Sequence, residues 1–120
     1  MAADSYQKLE VWKRSVDLTA DIYELCTKLP KQEMYALADQ MKRAAVAVPS
    51  NIAEGQKRFS RGDTLHFCSI AFGSLAELET QLIIAQKVYD LKTDTILREC
   101  AIISRMLHAL TKALRAQDGR

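Results

Sequence analysis

Residues 71–89 read AFGSLAELETQLIIAQKVY. Six of their apolar positions recur in alternating steps of four and three, which places them on one face of an α-helix. These positions are Ala71, Leu75, Leu78, Leu82, Ala85 and Tyr89. Such spacing is typical of a helix that packs lengthwise against others in a bundle. The stretch therefore predicts a long bundled helix, which we place over residues 61–89.

Two further segments, residues 9–29 and 95–115, carry the same pattern. In the first, the apolar stripe ends at Pro30, because the residue before a proline avoids the helical region. The second runs from Ile96 to Leu114 without a break in the four-three spacing. Both segments are therefore predicted to be amphipathic helices.

A fourth helix is predicted over residues 32–58, although Pro49 lies inside it. An interior proline removes one backbone hydrogen bond, so the helix could stop near Val48 and restart. The apolar stripe keeps its phase across the proline, which favours one kinked helix. Gly55 is interpreted as a glycine at the C-terminal cap. Ser60 and Asp63 have the spacing of a capping box at the start of the next helix.

Four long amphipathic helices with short connections predict an all-α fold, an antiparallel up-down-up-down four-helix bundle. The 120 residues are enough for one domain, which we place over residues 1–120. With 48% hydrophobic and 27% charged residues, the composition excludes a disordered chain. Three cysteines without a Cys-x-x-Cys pair are typical of reduced, buried thiols. No signal peptide or apolar run of about 18 residues is present, so we expect a cytoplasmic protein without membrane contact.

The charge is unevenly distributed along the chain. The formal net charge is +2, yet residues 42–61 contain five basic residues and only one acidic residue. Two interpretations compete: a solvated helix end and loop, or a phosphate-binding surface with Phe59 as a stacking aromatic. The candidate nucleic-acid-binding residues are Lys42, Arg43, Lys57, Arg58 and Arg61.

Residues 61–89 carry a second apolar face beside the main stripe. A helix that is apolar over much of its circumference must be covered on more than one side. One side is expected to face the bundle, and the other to face a second copy of the chain or a different protein. The candidate oligomer face consists of Ile70, Gly73, Ile84 and Val88.

A set of polar residues lies beside the predicted core. Glu77 and Glu79 bracket Leu78 and project about 200° apart, so they cannot act as one acid–base pair. A carboxylate close to a core needs a partner. We interpret the set as a buried polar network that fixes helix register or assembly. Its members are Gln40, Arg43, Asn51, Glu54, Glu77 and Glu79.

No enzyme, metal or cofactor chemistry is indicated. The two histidines, His66 and His108, do not complete the Glu and Glu-x-x-His set of a di-metal bundle. The glycines form no phosphate loop, and no serine stands in a nucleophile elbow. We therefore expect no catalytic residues, no metal ligands and no cofactor.

Four motifs of this chain together resemble the bacterial four helix bundle protein family, which is encoded within intervening sequences of 23S ribosomal RNA genes. The resemblance extends from about Tyr6 to Leu114. The motifs are Leu9-Glu10-Val11-Trp12, then Leu37, Gln40 and Arg43-Ala44, then Pro49 with Asn51-Ile52-Ala53-Glu54-Gly55, and then Ile70-Ala71, Gly73-Ser74 and Glu77-Leu78-Glu79.

The resemblance implies an antiparallel four-helix bundle that assembles into a ring-like homopentamer without enzymatic activity. It also implies distant kinship with accessory proteins of diversity-generating retroelements, which are similar bundles that bind reverse transcriptase and RNA. The function hypothesis is a non-catalytic oligomeric module that binds RNA or DNA. The alternative is a scaffold or accessory subunit that docks on a protein partner and binds no nucleic acid.

Overall fold

Four long helices make up most of the chain in this computed structural model, which describes residues 2–117. They are α1 (Glu10–Cys26), α2 (Leu37–Gln56), α3 (Arg61–Tyr89) and α4 (Asp94–Ala116), with short 3-10 turns at Ala2–Lys8 and Lys31–Glu33. The described residues contain no strand. The predicted all-α class is confirmed.

Each helix packs against two others, in the pairs α1–α2, α2–α3, α3–α4 and α1–α4. This arrangement encloses one core along the bundle axis, and the up-down-up-down order stays a prediction. The core side chains repeat every three or four residues on each helix, as burial of one face requires. Fully buried examples from the four helices are Leu18, Ile22, Met41, Ile52, Leu75, Leu78, Leu82, Ile103 and Leu107.

The connection between α1 and α2 is longer than the sequence predicts. We expected helices over 9–29 and 32–58, but α1 ends at Cys26 and α2 begins at Leu37. The Glu33 carboxylate accepts a hydrogen bond from the Leu37 backbone N–H at 3.3 Å and another from the Tyr89 hydroxyl. Glu33 thus supplies an acceptor for an otherwise unpaired N–H at the start of α2 and ties the connection to α3.

Helix α2 continues through Pro49, as the unbroken phase of its apolar stripe predicts. Pro49 has no N–H to donate to the carbonyl of Ala45, one turn earlier. The Thr19 hydroxyl of α1 lies 3.1 Å from this carbonyl oxygen and 2.8 Å from that of Ser15. A neighbouring helix therefore supplies a donor at the place where the proline removes one.

The predicted C-terminal cap at Gly55 is wrong. Gly55 is buried inside α2, which ends at Gln56, and the following Lys57 keeps a right-handed helical conformation. A Cβ at Gly55 would lie 3.1 Å from Phe67 Cβ and 3.2 Å from the Thr64 carbonyl oxygen. The glycine is explained by the close approach of α3, not by a turn.

Helix α3 begins as the sequence predicts. The Asp63 backbone N–H donates to the Ser60 hydroxyl oxygen at 3.0 Å, which is one half of the predicted capping box. The helix ends at Tyr89 and is followed by Asp90, whose left-handed backbone (φ 56°) turns the chain toward α4. The termini of α3 match the predicted 61–89, and α4 is one residue longer than predicted at each end.

Candidate nucleic-acid interface

The five candidate cations lie in two separate groups. Lys42 and Arg43 lie in the first half of α2, whereas Lys57, Arg58 and Arg61 lie at the connection between α2 and α3. Fifteen residues separate Lys42 from Lys57, which is about 22 Å along a helix at about 1.5 Å per residue. The structure therefore does not bring the five side chains into one cluster.

The group in the first half of α2 has local partners. Arg43 forms an ion pair of 2.9 Å with Asp39, one turn earlier on α2. The Lys42 ammonium lies 5.0 Å from the centroid of the Tyr23 ring on α1. Both contacts are ones that cations make within many folded proteins. These contacts therefore do not mark Lys42 or Arg43 as a phosphate ligand.

The group at the α2–α3 connection adjoins an exposed aromatic, Phe59, in the chain. The Phe59 side chain is fully exposed, whereas buried phenylalanine is the rule in a folded core. Arg58 pairs with Glu54 at 2.7 Å and lies 4.7 Å from the Phe67 ring centroid. Lys57 lies 5.8 Å from the Tyr6 ring centroid. An exposed ring that follows two cations in the chain offers a surface on which a nucleotide base can stack.

Sequence reasoning missed a row of cations along α4. Arg98, Arg105 and Lys112 follow one another at seven-residue intervals and are all exposed. Among residues 2–117, none of the three lies within 4 Å of a carboxylate. The seven-residue spacing is visible in the sequence, but the residues are too far apart along the chain to appear as a run of charge.

A surface groove adjoins this row where α4 packs on α3. Its volume is about 510 Å³, and Arg105, His108 and Lys112 line its α4 side. On the α3 side it is lined by Phe72, which is partly exposed. The carboxylate of Glu79, farther along α3, is partly buried and forms no ion pair with these cations. The groove therefore combines positive charge with an aromatic ring.

The predicted polar network does not form within one chain. Gln40, Arg43, Glu54 and Glu77 are exposed, and Asn51 and Glu79 are only partly buried. The hydrogen bonds of four members stay within one turn of their own helix, because their side chains lie on the outer surface. The prediction that the network is buried is therefore wrong for the single chain. Its role in assembly stays a prediction.

The second face of α3 lies outside the bundle, as its apolar residues predict. Ile70, Ile84 and Val88 are 38%, 44% and 62% exposed. A Cβ at Gly73 would have no neighbour within 4 Å, so no part of residues 2–117 covers this position. We call the surface made by Ile70, Gly73, Ile83, Ile84 and Val88 the outer face of α3.

Two other features of α3 concern a buried amide and the hydropathy of the whole helix. The Gln81 side chain, one turn after Glu77, is 5% exposed, and its Oε1 accepts no hydrogen bond from residues 2–117. By length and composition alone, α3 is also apolar enough to cross a membrane, a property that a central helix of a bundle shares.

The described chain offers few groups for catalysis. In residues 2–117 no three His, Cys, Asp or Glu side chains are grouped so that they could hold a metal ion. Cys26, Cys68 and Cys100 are free and buried, as predicted. Burial raises the pKa of the Cys100 thiol to about 12, so the thiol stays protonated at neutral pH.

A partly exposed ion pair joins α1 to α4. Arg14 donates from Nε and Nη2 to the two carboxylate oxygens of Glu99, at 2.8 and 3.0 Å. This bidentate pair lowers the pKa of Glu99 and raises that of Arg14 through the shared hydrogen bonds. The groove around it, of about 370 Å³, is also lined by Glu10, Asp17 and Asp21. Its acidic lining makes it unsuited to phosphates.

Comparison with known sequences decides the family. The sequence model of the family described as 23S rRNA-intervening sequence protein matches residues 7–109. The chain belongs to this family. The match spans α1, α2, α3 and most of α4. No curated protein is significantly similar to this 23S rRNA-intervening sequence protein in sequence.

The fold of the family member is similar to that of a solved structure. This is the crystal structure of a protein of unknown function from the S23 ribosomal protein family of Bacteroides thetaiotaomicron VPI-5482. The two chains superpose with a TM-score of 0.76 at 20% sequence identity, over 85% of this chain and 98% of the other. The similarity supports the bundle architecture.

Proposed function

We propose that this member of the family is a non-catalytic, oligomeric module that binds RNA or DNA in the cytoplasm. The observation that carries the oligomeric part is the outer face of α3. Isoleucines and a valine stand exposed there, and burying such side chains stabilises an assembly by about 25 cal/mol for each Å² of apolar area. A second copy of the chain would cover this surface.

The unpaired oxygen of Gln81 supports the same proposal. A buried amide oxygen without a donor costs about 1–3 kcal/mol, and a donor from a second copy would remove this cost. The family resemblance points to five copies. A ring of copies would repeat each cation surface, so weak contacts to a long nucleic acid would add through avidity.

The nucleic-acid part of the proposal rests on Phe59. The ring of Phe59, which follows Lys57 and Arg58 in the chain, is fully exposed, so it gives the fold no stability by burial, but it suits stacking with a base. A membrane-free location accords with the bundled packing of α3 against α2 and α4.

Light scattering and fluorescence anisotropy test the two parts separately. We expect a concentration-independent mass well above the 13.5 kDa of one chain. We also expect binding of labelled RNA that falls steeply between about 50 and 200 mM salt. Phe59→Ala should weaken binding of single-stranded RNA about tenfold, since stacking is worth about 1–3 kcal/mol per base. Lys57→Ala, Arg58→Ala and Arg61→Ala together should also weaken it.

A scaffold that docks on a protein partner is the alternative, and one observation favours it. Tyr35 is 90% and Met34 is 50% exposed beside the start of α2, and both residue types are enriched where proteins meet. An oligomer that binds no RNA or DNA at low salt would favour the scaffold. A monomeric mass would refute the assembly proposal.

A further inference from the structure

We propose that the cation row of α4, formed by Arg98, Arg105 and Lys112, is a phosphate-binding track for a nucleic-acid strand. The inference rests on the proposed function and assigns to it a surface outside the residues predicted from sequence. The strand would follow α4 and enter the groove between α4 and Phe72. The phosphates would meet the cations, and a base edge would meet the ring.

The geometry of the row suits an extended polyanion. Residues seven apart on an α-helix lie about 10.5 Å apart along its axis and within about 20° of the same direction. Arg98 and Lys112 therefore mark the ends of a nearly straight track of about 21 Å. Along one strand of a duplex, charges follow at about 3.4 Å, so a phosphate can meet each cation.

The availability of these cations distinguishes the row from the three arginines predicted from sequence. Arg43 and Arg58 each form an ion pair, and Arg61 also has a contact within the chain. Arg105 and Lys112 form no ion pair or hydrogen bond with the side chains described, those of residues 5–117. Arg98 donates only to the Thr95 hydroxyl at 3.2 Å. A phosphate would therefore bind these side chains without first breaking a salt bridge.

The neighbours of the row favour a nucleic acid over a membrane or an acidic protein. The side chains between the cations on this side of α4 include Ala101 and Ala109, and α4 exposes no large hydrophobic residue. A membrane-surface helix needs a free apolar face, but that of α4 is buried in the core. A protein interface needs aromatic or aliphatic anchors at its centre. Charge with one aromatic ring is the composition of a strand-binding groove.

Three variants test the assignment, and each replaces three cations with glutamine, so that all three lose the same positive charge. The track variant is Arg98→Gln, Arg105→Gln and Lys112→Gln. The control, Lys13→Gln, Lys28→Gln and Lys31→Gln, removes three exposed cations elsewhere. The loop variant is Lys57→Gln, Arg58→Gln and Arg61→Gln. All are measured by anisotropy as full-length protein with a labelled RNA strand of about 20 nucleotides and with the matching duplex, across the salt range given above.

We expect the track variant to weaken binding of the strand at least about tenfold at low salt. Its slope of log K against log salt should fall by about 2, since each lost phosphate contact to a single strand contributes about 0.7. The control should change the affinity by no more than about twofold and should leave the slope nearly unchanged, because it alters only the general electrostatic field of the protein. Unchanged thermal unfolding and mass show that the variants remain folded and assembled.

Each other outcome is decisive. If the wild type binds strand or duplex and the track variant binds equally well, the track is refuted while the proposed function stands. If the control weakens binding as much as the track variant, net charge explains the result and the track is also refuted. If the wild type binds no nucleic acid at low salt, both proposals fail. Loss of binding to phosphatidylserine vesicles without loss of RNA affinity would assign the row to membranes instead.

Discussion

The Thr19 hydroxyl of α1 lies 3.1 Å from the carbonyl oxygen of Ala45, the acceptor that Pro49 leaves without a helical N–H. Ala45 is fully buried, so water cannot take the place of the missing donor. The single Thr19 proton is shared between this carbonyl and that of Ser15, 2.8 Å away. The proline in α2 is thus matched by a hydroxyl in α1.

Thr19→Val should lower the free energy of unfolding by about 1–2 kcal/mol, because it leaves the Ala45 carbonyl buried without a donor. In a Pro49→Ala background, which restores the N–H, the same change should have a smaller effect. Thr19→Ser keeps the hydroxyl and serves as the control. Urea denaturation at one protein concentration gives the double-mutant cycle, and equal effects in both backgrounds would contradict the coupling.

Gly55→Ala should destabilise the protein by about 1 kcal/mol. Alanine favours a helix over glycine by about 1 kcal/mol, but the new Cβ would meet Phe67 Cβ and the Thr64 backbone, and such overpacking costs about 1–3 kcal/mol. Gly62→Ala is the matched control, because no atom lies within 4 Å of its added Cβ. Thermal unfolding should therefore shift in opposite directions for the two variants, or not at all for Gly62→Ala. A stabilised Gly55→Ala would show that α3 can move away.

The bundle could be predicted from sequence because it depends on periodicity, which one chain displays by itself. The phase of the stripe across Pro49 correctly indicated one helix. The role of Gly55 could not be predicted, because it depends on the distance to Phe67 in the next helix. The predicted start of α2 was wrong for a similar reason, because it also depends on a contact with another helix. Glu33 accepts hydrogen bonds from the Leu37 N–H and from the hydroxyl of Tyr89 in α3.

The ion pair of Arg14 and Glu99 predicts a loss of stability in acid. The pair lowers the pKa of Glu99 below its ordinary value of 4.5, so its contribution is fully present above that pH. It is lost as the pH falls through the lowered pKa and the carboxylate takes up a proton. The Arg14 and Glu99 side chains are 36% and 26% exposed, so water screens the pair and we expect only a small coupling.

Urea denaturation of Glu99→Gln, Arg14→Gln and the double variant measures this coupling. At neutral pH the cycle should give the coupling stated above, and it should approach zero as the pH falls through the lowered pKa of Glu99. The exposed pair of Arg43 and Asp39 provides the control cycle and should contribute less at neutral pH. A coupling of Arg14 and Glu99 that persists in acid would contradict a charge-based contact.

The candidate site was less predictable than the fold. Asp39 and Glu54 lie four residues before Arg43 and Arg58, a spacing at which helical ion pairs form, so the partners of both arginines were visible in the sequence. Asp39 lies outside residues 42–61, the stretch with the excess of positive charge. The outer face of α3 is exposed because a four-helix bundle covers only one side of each helix, and its role as an oligomer face stays a prediction.

Gly73→Arg should disrupt the proposed assembly without destabilising the single chain. The position is open in residues 2–117, and arginine favours a helix over glycine by nearly 1 kcal/mol. In an interface between copies the same guanidinium would be buried without a partner, which costs several kcal/mol and should weaken association at least about 100-fold. Gly62→Arg is the matched control, since Gly62 is equally open in the first turn of α3 but precedes the outer face. Light scattering should show a mass near that of one chain for Gly73→Arg and the wild-type mass for Gly62→Arg, with circular dichroism confirming that both stay helical. An undiminished mass for Gly73→Arg would place the interface elsewhere on the bundle.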